Sequence, residues 1–325
     1  MSPVKVFVTR SLPTSLESLT SVAETSIWPE RQPPAYEILQ QHCQDCEGLL
    51  CLLTDQVDAA LIAASPNLKV ISQMAVGYDN IDVAAATRRG IPVGHTPGVL
   101  TEATADLTWA LLMAAARRVV EGDRFTRSGQ WITWEPDLLL GPDVAGATLG
   151  VIGLGRIGQA VARRATGFDM RVLYSAPRPV SEDVEQRCRA EYVAFDRLLA
   201  GADFVTVHVP LTETTRSLLG AKQFKRMKPG AILINTARGA VVDQVALHEA
   251  LTTGHLAGAA LDVTDPEPTP LSEPLLNLPN VIVTPHIGSA SLQARRKMAQ
   301  MAVANLLAGL QDQRLPNCVN PEVYG

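Results

Sequence analysis

The hexapeptide GLGRIG at residues 153–158 constrains the fold more than any other part of the chain. It follows an apolar stretch, TLGVI at residues 148–152, and it opens a helix-like stretch, GQAVARRA. This order is typical of a dinucleotide-binding βαβ unit, because glycines permit the tight turn, the approach of a pyrophosphate and the packing of helix on strand. The helix start would offer N–H groups and a positive dipole to the phosphates. We therefore predict cofactor contacts at Gly153, Gly155, Arg156, Ile157 and Gly158.

Short apolar runs alternate with helical patterns along almost the whole chain, which is typical of α/β proteins with parallel sheets. Long helices are predicted from Thr101 to about Ser128 and over Ser291–Leu310, with shorter ones over Pro34–Cys46 and Asp82–Arg89. The predicted strands are Val4–Thr9, Gly48–Leu53, Leu68–Ala75, Ile91–Val93, Thr148–Ile152, Met170–Ser175, Phe204–Val209, Gly230–Thr236, Leu256–Val263 and Val281–Thr284.

The later strands are numerous enough for a complete dinucleotide-binding sheet, and 325 residues suffice for two domains. We predict an α/β protein of two Rossmann-like, doubly wound parallel-sheet domains, with the cofactor domain inserted into a discontinuous substrate domain. The substrate domain would comprise residues 1–99 and 288–325, and the dinucleotide-binding domain residues 100–287.

Composition excludes several classes of partner. The net charge of −5 argues against nucleic-acid binding, which needs clustered Lys and Arg. No apolar run reaches the roughly 18 residues that a membrane span needs. Cys43 and Cys46 have the spacing of a redox or metal site, but no second pair or histidine cluster accompanies them. We therefore expect a reduced, cytoplasmic protein without a metal site.

The end of the second strand of the predicted nucleotide domain indicates which cofactor is used. About 20 residues past the glycines, NAD enzymes place Asp or Glu against the ribose 2′-hydroxyl. That position is Ala176 here, and Pro177 and Arg178 follow. A missing carboxylate removes repulsion for a 2′-phosphate, which Ser175 and Arg178 could bind. We predict NADPH, with NADH as a possible secondary cofactor; the alternative is that Arg178 is only a surface residue.

Three segments at the ends of later strands carry candidate catalytic residues. They are ILINTARG with Arg238, ALDVTDPEP with Asp262 and Glu267, and VIVTPHIGSA with His286. Reduction of a 2-oxo acid needs a cation for the carboxylate and a general acid near neutral pH. Arg and His suit these roles, and a carboxylate would orient the imidazole. Spacing alone does not show that Glu267 meets His286, so a helix cap and an ordinary loop histidine stay open as alternatives.

These motifs, with VGYDNID and GLGRIG upstream, resemble the signature set of the D-2-hydroxyacid dehydrogenase family over about residues 48–310. CLLTDQVD, HTPGVLTEATADLTWALL and QWITWEP further resemble its glyoxylate/hydroxypyruvate reductase branch. The resemblance implies NADPH-dependent reduction of glyoxylate to glycolate and of hydroxypyruvate to D-glycerate, with hydride from the nicotinamide and a proton from a histidine. NAD-preferring members carry Asp where this chain has Ala176.

The resemblance also assigns site residues. Arg238 would bind the substrate's carboxylate and carbonyl oxygen, and His286 would donate the proton with Glu267 as its partner. Other substrate contacts would be Leu53, Val76, Gly77, Ser289 and the partner subunit's Trp134. Other cofactor contacts would be Thr104, Ser175, Arg178, Pro210, Thr215, Thr236, Ala237, Asp262 and Gly288.

The resemblance further implies a homodimer, with residues from about 120 to 147 forming an arm that crosses to the partner. A purely structural dimer contact is the alternative for this arm. Two other functions stay open: a D-lactate dehydrogenase or broad 2-oxo acid reductase, and a nucleotide-sensing, corepressor-like binding protein that shares the fold. Glu267 argues against a formate dehydrogenase, which carries Gln at that position. No nucleic-acid or membrane partner is expected.

Overall fold

The computed structural model describes residues 3–325 as two units. The first unit runs to Leu100 and resumes at Ala290, and the second comprises Thr101–Ser289. We expected these boundaries at 99/100 and 287/288, so Gly288 and Ser289 lie in the second unit instead of the first. The predicted substrate domain also includes residues 1 and 2, which lie outside the described residues.

The first unit is built on a parallel sheet of five strands in the order β2-β1-β3-β4-β5. Two of its helices begin at an aspartate, because the Asp58 and Asp82 carboxylates accept the N–H groups of Leu61 and Ala85. The elements are β1 Lys5–Val8, α1 Glu17–Thr20, β2 Glu24–Ile27, α2 Tyr36–Asp45, β3 Gly48–Cys51, α3 Ala59–Ala63, β4 Val70–Gln73, α4 Val83–Arg88, β5 Val93–Gly94 and, after the return of the chain, α12 Leu292–Leu310.

The second unit contains a parallel sheet of seven strands in the order β12-β11-β10-β9-β6-β7-β8. The elements are α5 Thr101–Ala116, α6 Val119–Arg127, β6 Thr148–Ile152, α7 Arg156–Ala165, β7 Arg171–Ser175, α8 Glu182–Cys188, β8 Ala190–Tyr192, α9 Phe195–Gly201, β9 Phe204–Val207, α10 Ala221–Arg226, β10 Ile232–Asn235, α11 Gln244–Thr252, β11 Gly258–Leu261 and β12 Val281–Val283.

Both faces of this sheet are covered by apolar packing. Leu233 and Ile234 are successive residues of β10, and they belong to two different buried clusters. Successive side chains of a strand point to opposite faces, so the strands are apolar throughout, as a sheet with helices on both sides requires. The strand order reverses at β6, which lies between β7 and β9. In such sheets, ligands bind beyond the carboxyl ends of the strands at the reversal.

The predicted single helix from Thr101 to about Ser128 is wrong. It is two helices, α5 and α6, separated at Arg118, whose φ of 51° is left-handed. The cause lies in the segment that returns past the end of α5, where a Cβ at Gly141 would lie 2.0 Å from the carbonyl oxygen of Ala116. The guanidinium of Arg118 also donates to the carbonyl of Leu140. Tertiary packing therefore ends α5, and not a helix-breaking residue in the local sequence.

The strands β2 and β8 were not predicted. Both lie at sheet edges, and they have four and three residues with mostly exposed side chains. Such strands bury too little apolar surface to produce a recognisable hydrophobic pattern in the sequence. The strand predicted at Ile91–Val93 is observed at Val93–Gly94. Among the described residues, no helix combines the length and the apolarity that crossing a membrane requires.

Candidate active site

The GLGRIG hexapeptide forms a tight turn between β6 and α7. Gly153 has a φ of +93°, a conformation that favours glycine. A Cβ at Gly158 would lie 2.2 Å from the carbonyl oxygen of Gly153, so only a glycine lets the helix pack against the turn. A Cβ at Gly155 would meet no heavy atom within 4 Å. The turn is therefore packed on one side and open at the middle glycine.

The start of α7 fits the pyrophosphate of a dinucleotide. Gly155 precedes the helix, and the first helical hydrogen bond that reaches it comes from the N–H of Gln159. The N–H groups of the first helical turn, including those of Arg156 and Ile157, have no acceptor within the helix. Together with the positive end of the helix dipole, they suit an anion in the open space beside Gly155.

His208 follows β9 beside this turn. Burial lowers the pKa of His208 to about 3, so the ring is neutral over the physiological range. Its Nε2 atom lies 2.9 Å from the hydroxyl of Thr206. A Cβ at Gly153 would lie 2.7 Å from the carbonyl oxygen of His208. The main chain of His208 therefore packs against the glycine turn.

The loop after β7 offers a cation and a hydroxyl but no acidic side chain at the predicted position. Ser175 ends the strand, and Ala176 follows it with its carbonyl oxygen 3.2 Å from the donating hydroxyl of Tyr192. Arg178 is exposed and forms no ion pair within residues 3–325. A phosphate at this loop would meet the positive charge of Arg178 and no carboxylate at position 176 itself.

Threonine hydroxyl groups hold four of the predicted cofactor residues, in two separate pairs. Thr108 in α5 donates to the carbonyl oxygen of Thr104 at 2.8 Å, and its Oγ1 lies 2.9 Å from that of Thr236. Because Thr108 has only one hydroxyl proton, Thr236 is the donor in the second bond. Thr215 donates to the carbonyl of Pro210 at 2.6 Å. These hydroxyl groups therefore fix the loops around the strand ends.

Arg238 lies in a turn that is held by a side chain which the sequence analysis missed. Asn235, buried at the end of β10, accepts the N–H of Ala237 at 3.0 Å and donates to the carbonyl of Arg238 at 2.9 Å. The Arg238 guanidinium donates to the carbonyl of Ala237 at 2.8 Å and is partly exposed. A polar residue closing a strand directly before TARG was the available sequence signal for Asn235.

Glu267 and His286, which the family resemblance pairs, lie within hydrogen-bond distance of each other. Oε2 of Glu267 lies 2.8 Å from Nδ1 of His286, and its Oε1 accepts the N–H of Thr264 at 3.1 Å. A carboxylate only accepts, so Nδ1 carries the proton and the far nitrogen, Nε2, is left for another partner. The His286 and Glu267 side chains are 25% and 29% exposed, which leaves the pair accessible to a small molecule.

The Arg238 turn and the Glu267 loop are in direct contact. A Cβ at Gly239 would lie 2.0 Å from the carbonyl oxygen of Thr264, so any side chain at this position would push the two loops apart. Glycine directly after Arg238 therefore permits the close approach of the candidate cation to the loop that bears Glu267.

Asp262 holds the turn that carries His286. It is 1% exposed, and its Oδ1 accepts the hydroxyl of Thr284 at 2.6 Å and the N–H of Ile287 at 2.8 Å. Its Oδ2 accepts the N–H of Gly288 at 2.7 Å. The backbone carbonyl of Asp262 accepts the backbone N–H of His286 at 2.9 Å. Both carboxylate oxygens are thus used within the protein, and the predicted contact of Asp262 with the nicotinamide stays a prediction.

The remaining predicted substrate residues lie at loop positions. In the first unit, Leu53 lies in the loop after β3, and Val76 and Gly77 lie in the loop after β4. Ser289, partly exposed, is the last residue of the second unit. Trp134 is 79% exposed in the segment after α6. Their contacts with substrate stay predictions.

The comparisons with known proteins agree with this fold. The sequence model described as D-isomer specific 2-hydroxyacid dehydrogenase, NAD binding domain, matches residues 109–288, which is more than half of the chain. A glyoxylate reductase of Korarchaeum cryptofilum is 52% identical over 323 residues, 98% of this chain and 96% of that protein.

Solved structures extend the similarity over both units. A protein of Thermus thermophilus is 49% identical with a TM-score of 0.91, covering 97% of this chain and 100% of that one. The NADPH-dependent glyoxylate/hydroxypyruvate reductase of Sinorhizobium meliloti, solved with NADP and malonate, is 32% identical with a TM-score of 0.86 and covers 98% of each chain. The chain therefore belongs to the D-isomer specific 2-hydroxyacid dehydrogenase family of oxidoreductases, with the family's NAD-binding domain in its second unit.

Proposed function

We propose that this protein reduces glyoxylate to glycolate and hydroxypyruvate to D-glycerate, with NADPH as the preferred cofactor. The observation that carries the proposal is the Glu267–His286 pair, because the loop that bears Glu267 contacts the turn of Arg238. A general acid with its orienting carboxylate and a cation for the substrate then lie on neighbouring loops. The names of the Korarchaeum cryptofilum and Sinorhizobium meliloti proteins support the substrates, and the NADP in the latter supports the cofactor.

In this proposal each side chain has one chemical task. Bound NADPH supplies the hydride that adds to the carbonyl carbon. Arg238 binds the carboxylate and the carbonyl oxygen, where its planar fork matches two acceptors. Nε2 of His286 delivers a proton to the oxygen as negative charge develops there, and Glu267 at Nδ1 holds the ring and stabilises its charged form. Hydride and proton together convert the 2-oxo acid into the 2-hydroxy acid.

The cofactor is assigned to the second unit. The glycine turn and the first turn of α7 would hold the pyrophosphate, and Ser175 and Arg178 the 2′-phosphate. The other proposed cofactor contacts are Thr104, Pro210, Thr215, Thr236, Ala237, Asp262 and Gly288. The absence of a carboxylate at Ala176 is the feature that favours NADPH over NADH.

The substrate carboxylate is also assigned to the N–H groups of Val76 and Gly77, with Leu53 as an apolar wall. Ser289 would contact the C3 hydroxyl of hydroxypyruvate. The enzyme is proposed to act as a homodimer in which the partner subunit's Trp134 closes the site. The exposure of Trp134 supports this assembly, since exposed apolar clusters mark interfaces.

The proposed function is tested by initial rates with glyoxylate, hydroxypyruvate and pyruvate, each with NADPH and with NADH. We expect fast oxidation of NADPH with the first two substrates and slow turnover of pyruvate. Preference for pyruvate would favour a D-lactate dehydrogenase or a broad 2-oxo acid reductase, and preference for NADH would overturn the cofactor assignment. Turnover with none of the six pairs would leave the nucleotide-sensing protein as the better interpretation.

A further inference from the structure

Three successive carbonyl groups after β4 are each held by a hydrogen bond from a different donor. The donors are one backbone amide and two side chains, and all of them belong to the first unit. The bonds are Thr96 N to Ala75 O at 2.8 Å, His95 Nδ1 to Val76 O at 3.0 Å and Gln73 Nε2 to Gly77 O at 2.7 Å.

The first two bonds fix the direction of the N–H groups of Val76 and Gly77, and the third anchors the peptide that follows Gly77. A trans peptide is planar, with its C=O and N–H pointing in opposite directions, so a held carbonyl also aims the N–H of the next residue. The bond to Ala75 therefore aims the N–H of Val76, and the bond to Val76 aims that of Gly77. Within residues 3–325 neither of these two N–H groups donates to a protein acceptor. Two adjacent donors are thus left for an anion.

The Gln73 side chain is held in turn by Asn80. Gln73 is fully buried, its Nε2 donates to Oδ1 of Asn80 at 2.6 Å, and Nδ2 of Asn80 lies 3.0 Å from its Oε1. Nδ2 of Asn80 also donates to the carbonyls of Leu52 at 3.1 Å and Asp55 at 2.7 Å. The amide pair therefore joins the loop of Val76 and Gly77 to the loop that flanks Leu53.

The imidazole of His95 is fixed independently. A carbonyl oxygen only accepts, so Nδ1 of His95 carries the proton in its bond to Val76. The ring packs edge-on against Tyr78 with centroids 5.7 Å apart. The carbonyl of His95 accepts the Asn305 side-chain amide at 2.9 Å, which ties the main chain at this point to α12.

We propose that His95 is a positioning residue for the substrate carboxylate, because its bond to the Val76 carbonyl fixes the N–H of Gly77 in the orientation that binds it. Gln73, held by Asn80, is a second positioning residue, because it anchors the next peptide at the Gly77 carbonyl and so keeps the loop of Val76 and Gly77 in place. The inference rests on the proposed function, which assigns those two N–H groups to the carboxylate of a 2-oxo acid. None of the three side chains is required to touch the substrate. Their effect is on substrate affinity, and the cofactor, assigned to the other unit, is unaffected.

His95 provides the sharper test because one substitution removes the donor and another restores it. Phe keeps a ring but has no N–H, whereas Nδ2 of Asn occupies nearly the place of Nδ1. We expect His95→Phe to raise KM for glyoxylate, and Kd for the non-reducible analogue oxamate, about tenfold. kcat should change less and Kd for NADPH not at all. His95→Asn should restore both constants, and equal losses in the two variants would overturn the role of His95.

Gln73 is tested against a matched control on the same strand. Gln73→Met removes both donated bonds with little change in volume, and we expect KM for glyoxylate to rise about tenfold or more. Ser72→Ala removes a buried bond from Ser72 to the carbonyl of Ala302, at 2.7 Å, without touching either loop. It should lower stability and leave KM unchanged. An equal rise of KM in both would mean general loosening and would overturn the proposal.

Oxamate binding separates this inference from the proposed function. A wild-type protein that turns over none of the oxo acids contradicts the function, yet weaker oxamate binding by His95→Phe still supports the positioning. An active wild type whose variants keep KM and oxamate affinity overturns the positioning alone. A wild type that does not bind oxamate overturns it as well. If Gln73→Met does not fold, the His95 pair of variants carries the test.

Discussion

Glu267 and His286 form a hydrogen-bonded pair, 2.8 Å between Oε2 and Nδ1, and the backbone of His286 is left-handed with a φ of 53°. A left-handed non-glycine residue costs about 1 kcal/mol or more, and it persists where the surrounding structure fixes it. Here Asp262 supplies that constraint through the backbone of the same turn. The position of the imidazole is therefore fixed by the backbone of the turn that carries His286 and by the carboxylate of Glu267.

Glu267→Gln should lower kcat about 10- to 100-fold with little change in Kd for NADPH. Both oxygens of Glu267 accept a hydrogen bond, and an amide has only one acceptor, so either His286 or the Thr264 N–H loses its partner. The measurement is steady-state kinetics with glyoxylate together with fluorescence titration of NADPH. Asp265→Asn is the matched control, because its carboxylate side chain is 53% exposed two residues away. Equal losses in both variants would show a general charge effect.

His286→Asn should lower kcat about 10²- to 10⁴-fold, because the substitution removes the imidazole that would donate the proton. Asparagine tolerates the left-handed conformation better than alanine, so the turn should be preserved. Circular dichroism and the thermal midpoint check the fold, and NADPH titration checks the cofactor site. Loss of NADPH binding in parallel with kcat would contradict the assignment of His286 as proton donor.

Asp262→Asn should destabilise the protein by about 1–3 kcal/mol and also lower kcat. The carboxylate accepts three hydrogen bonds, and the amide nitrogen of Asn would instead face an N–H or hydroxyl donor. Denaturant unfolding and kcat are the measurements. Thr284→Val, which removes one of the three donors, should have a smaller effect on both. A variant with normal stability but weak NADPH binding would mean that contact with the cofactor is the main role of Asp262.

The sequence predicted those parts of the site whose geometry is set within a few residues. Gly153 and Gly158 are required by a positive φ and by a close approach inside one turn, so the local motif contains the full constraint. The two parallel sheets follow from apolar runs that are buried on both faces. The pairing of Glu267 with His286 was predictable only from the family resemblance, since the two residues lie on different loops.

The features that were missed depend on contacts between distant segments. The end of α5 at Ala116 is set by the return of Gly141, and ARRVVEG by itself favours a continuous helix. The role of Asn235 depends on the conformation of the turn after β10, which the pattern ILIN does not reveal. Buried polar side chains that hold turns resemble ordinary strand ends in a sequence, and their function becomes visible only with their partners.

Ala176→Asp should shift cofactor preference from NADPH toward NADH. A carboxylate at this position would repel the 2′-phosphate and could accept hydrogen bonds from the 2′-hydroxyl, so KM for NADPH should rise about tenfold or more. Ala176→Asn is the neutral control of nearly equal size, and it should have a smaller effect. The measurement is the ratio of kcat/KM for the two cofactors with glyoxylate. An unchanged ratio in the Asp variant would mean that selectivity is determined elsewhere.

The segment after α6 exposes apolar side chains that a monomer would leave in water. Trp131, Ile132 and Trp134 are 61%, 90% and 79% exposed. Three neighbouring side chains of this kind, two of them aromatic, are typical of a protein–protein interface. The proposed homodimer would bury them, and the partner subunit's Trp134 would then lie at the neighbouring substrate site.

We therefore expect the wild-type chain to be a dimer by size-exclusion chromatography with light scattering, and Trp131→Ser with Trp134→Ser to weaken the dimer about tenfold or more. Trp134→Ser alone should raise KM for glyoxylate if this side chain closes the neighbour's site. Val245→Ser, which replaces an 81% exposed apolar residue outside the arm, is the control and should change neither mass nor KM. A double variant that stays dimeric with unchanged KM would contradict both roles of the arm. A double variant that becomes monomeric while Trp134→Ser keeps its KM would leave the arm as a structural contact, because dimerisation then depends on these side chains and the substrate site does not.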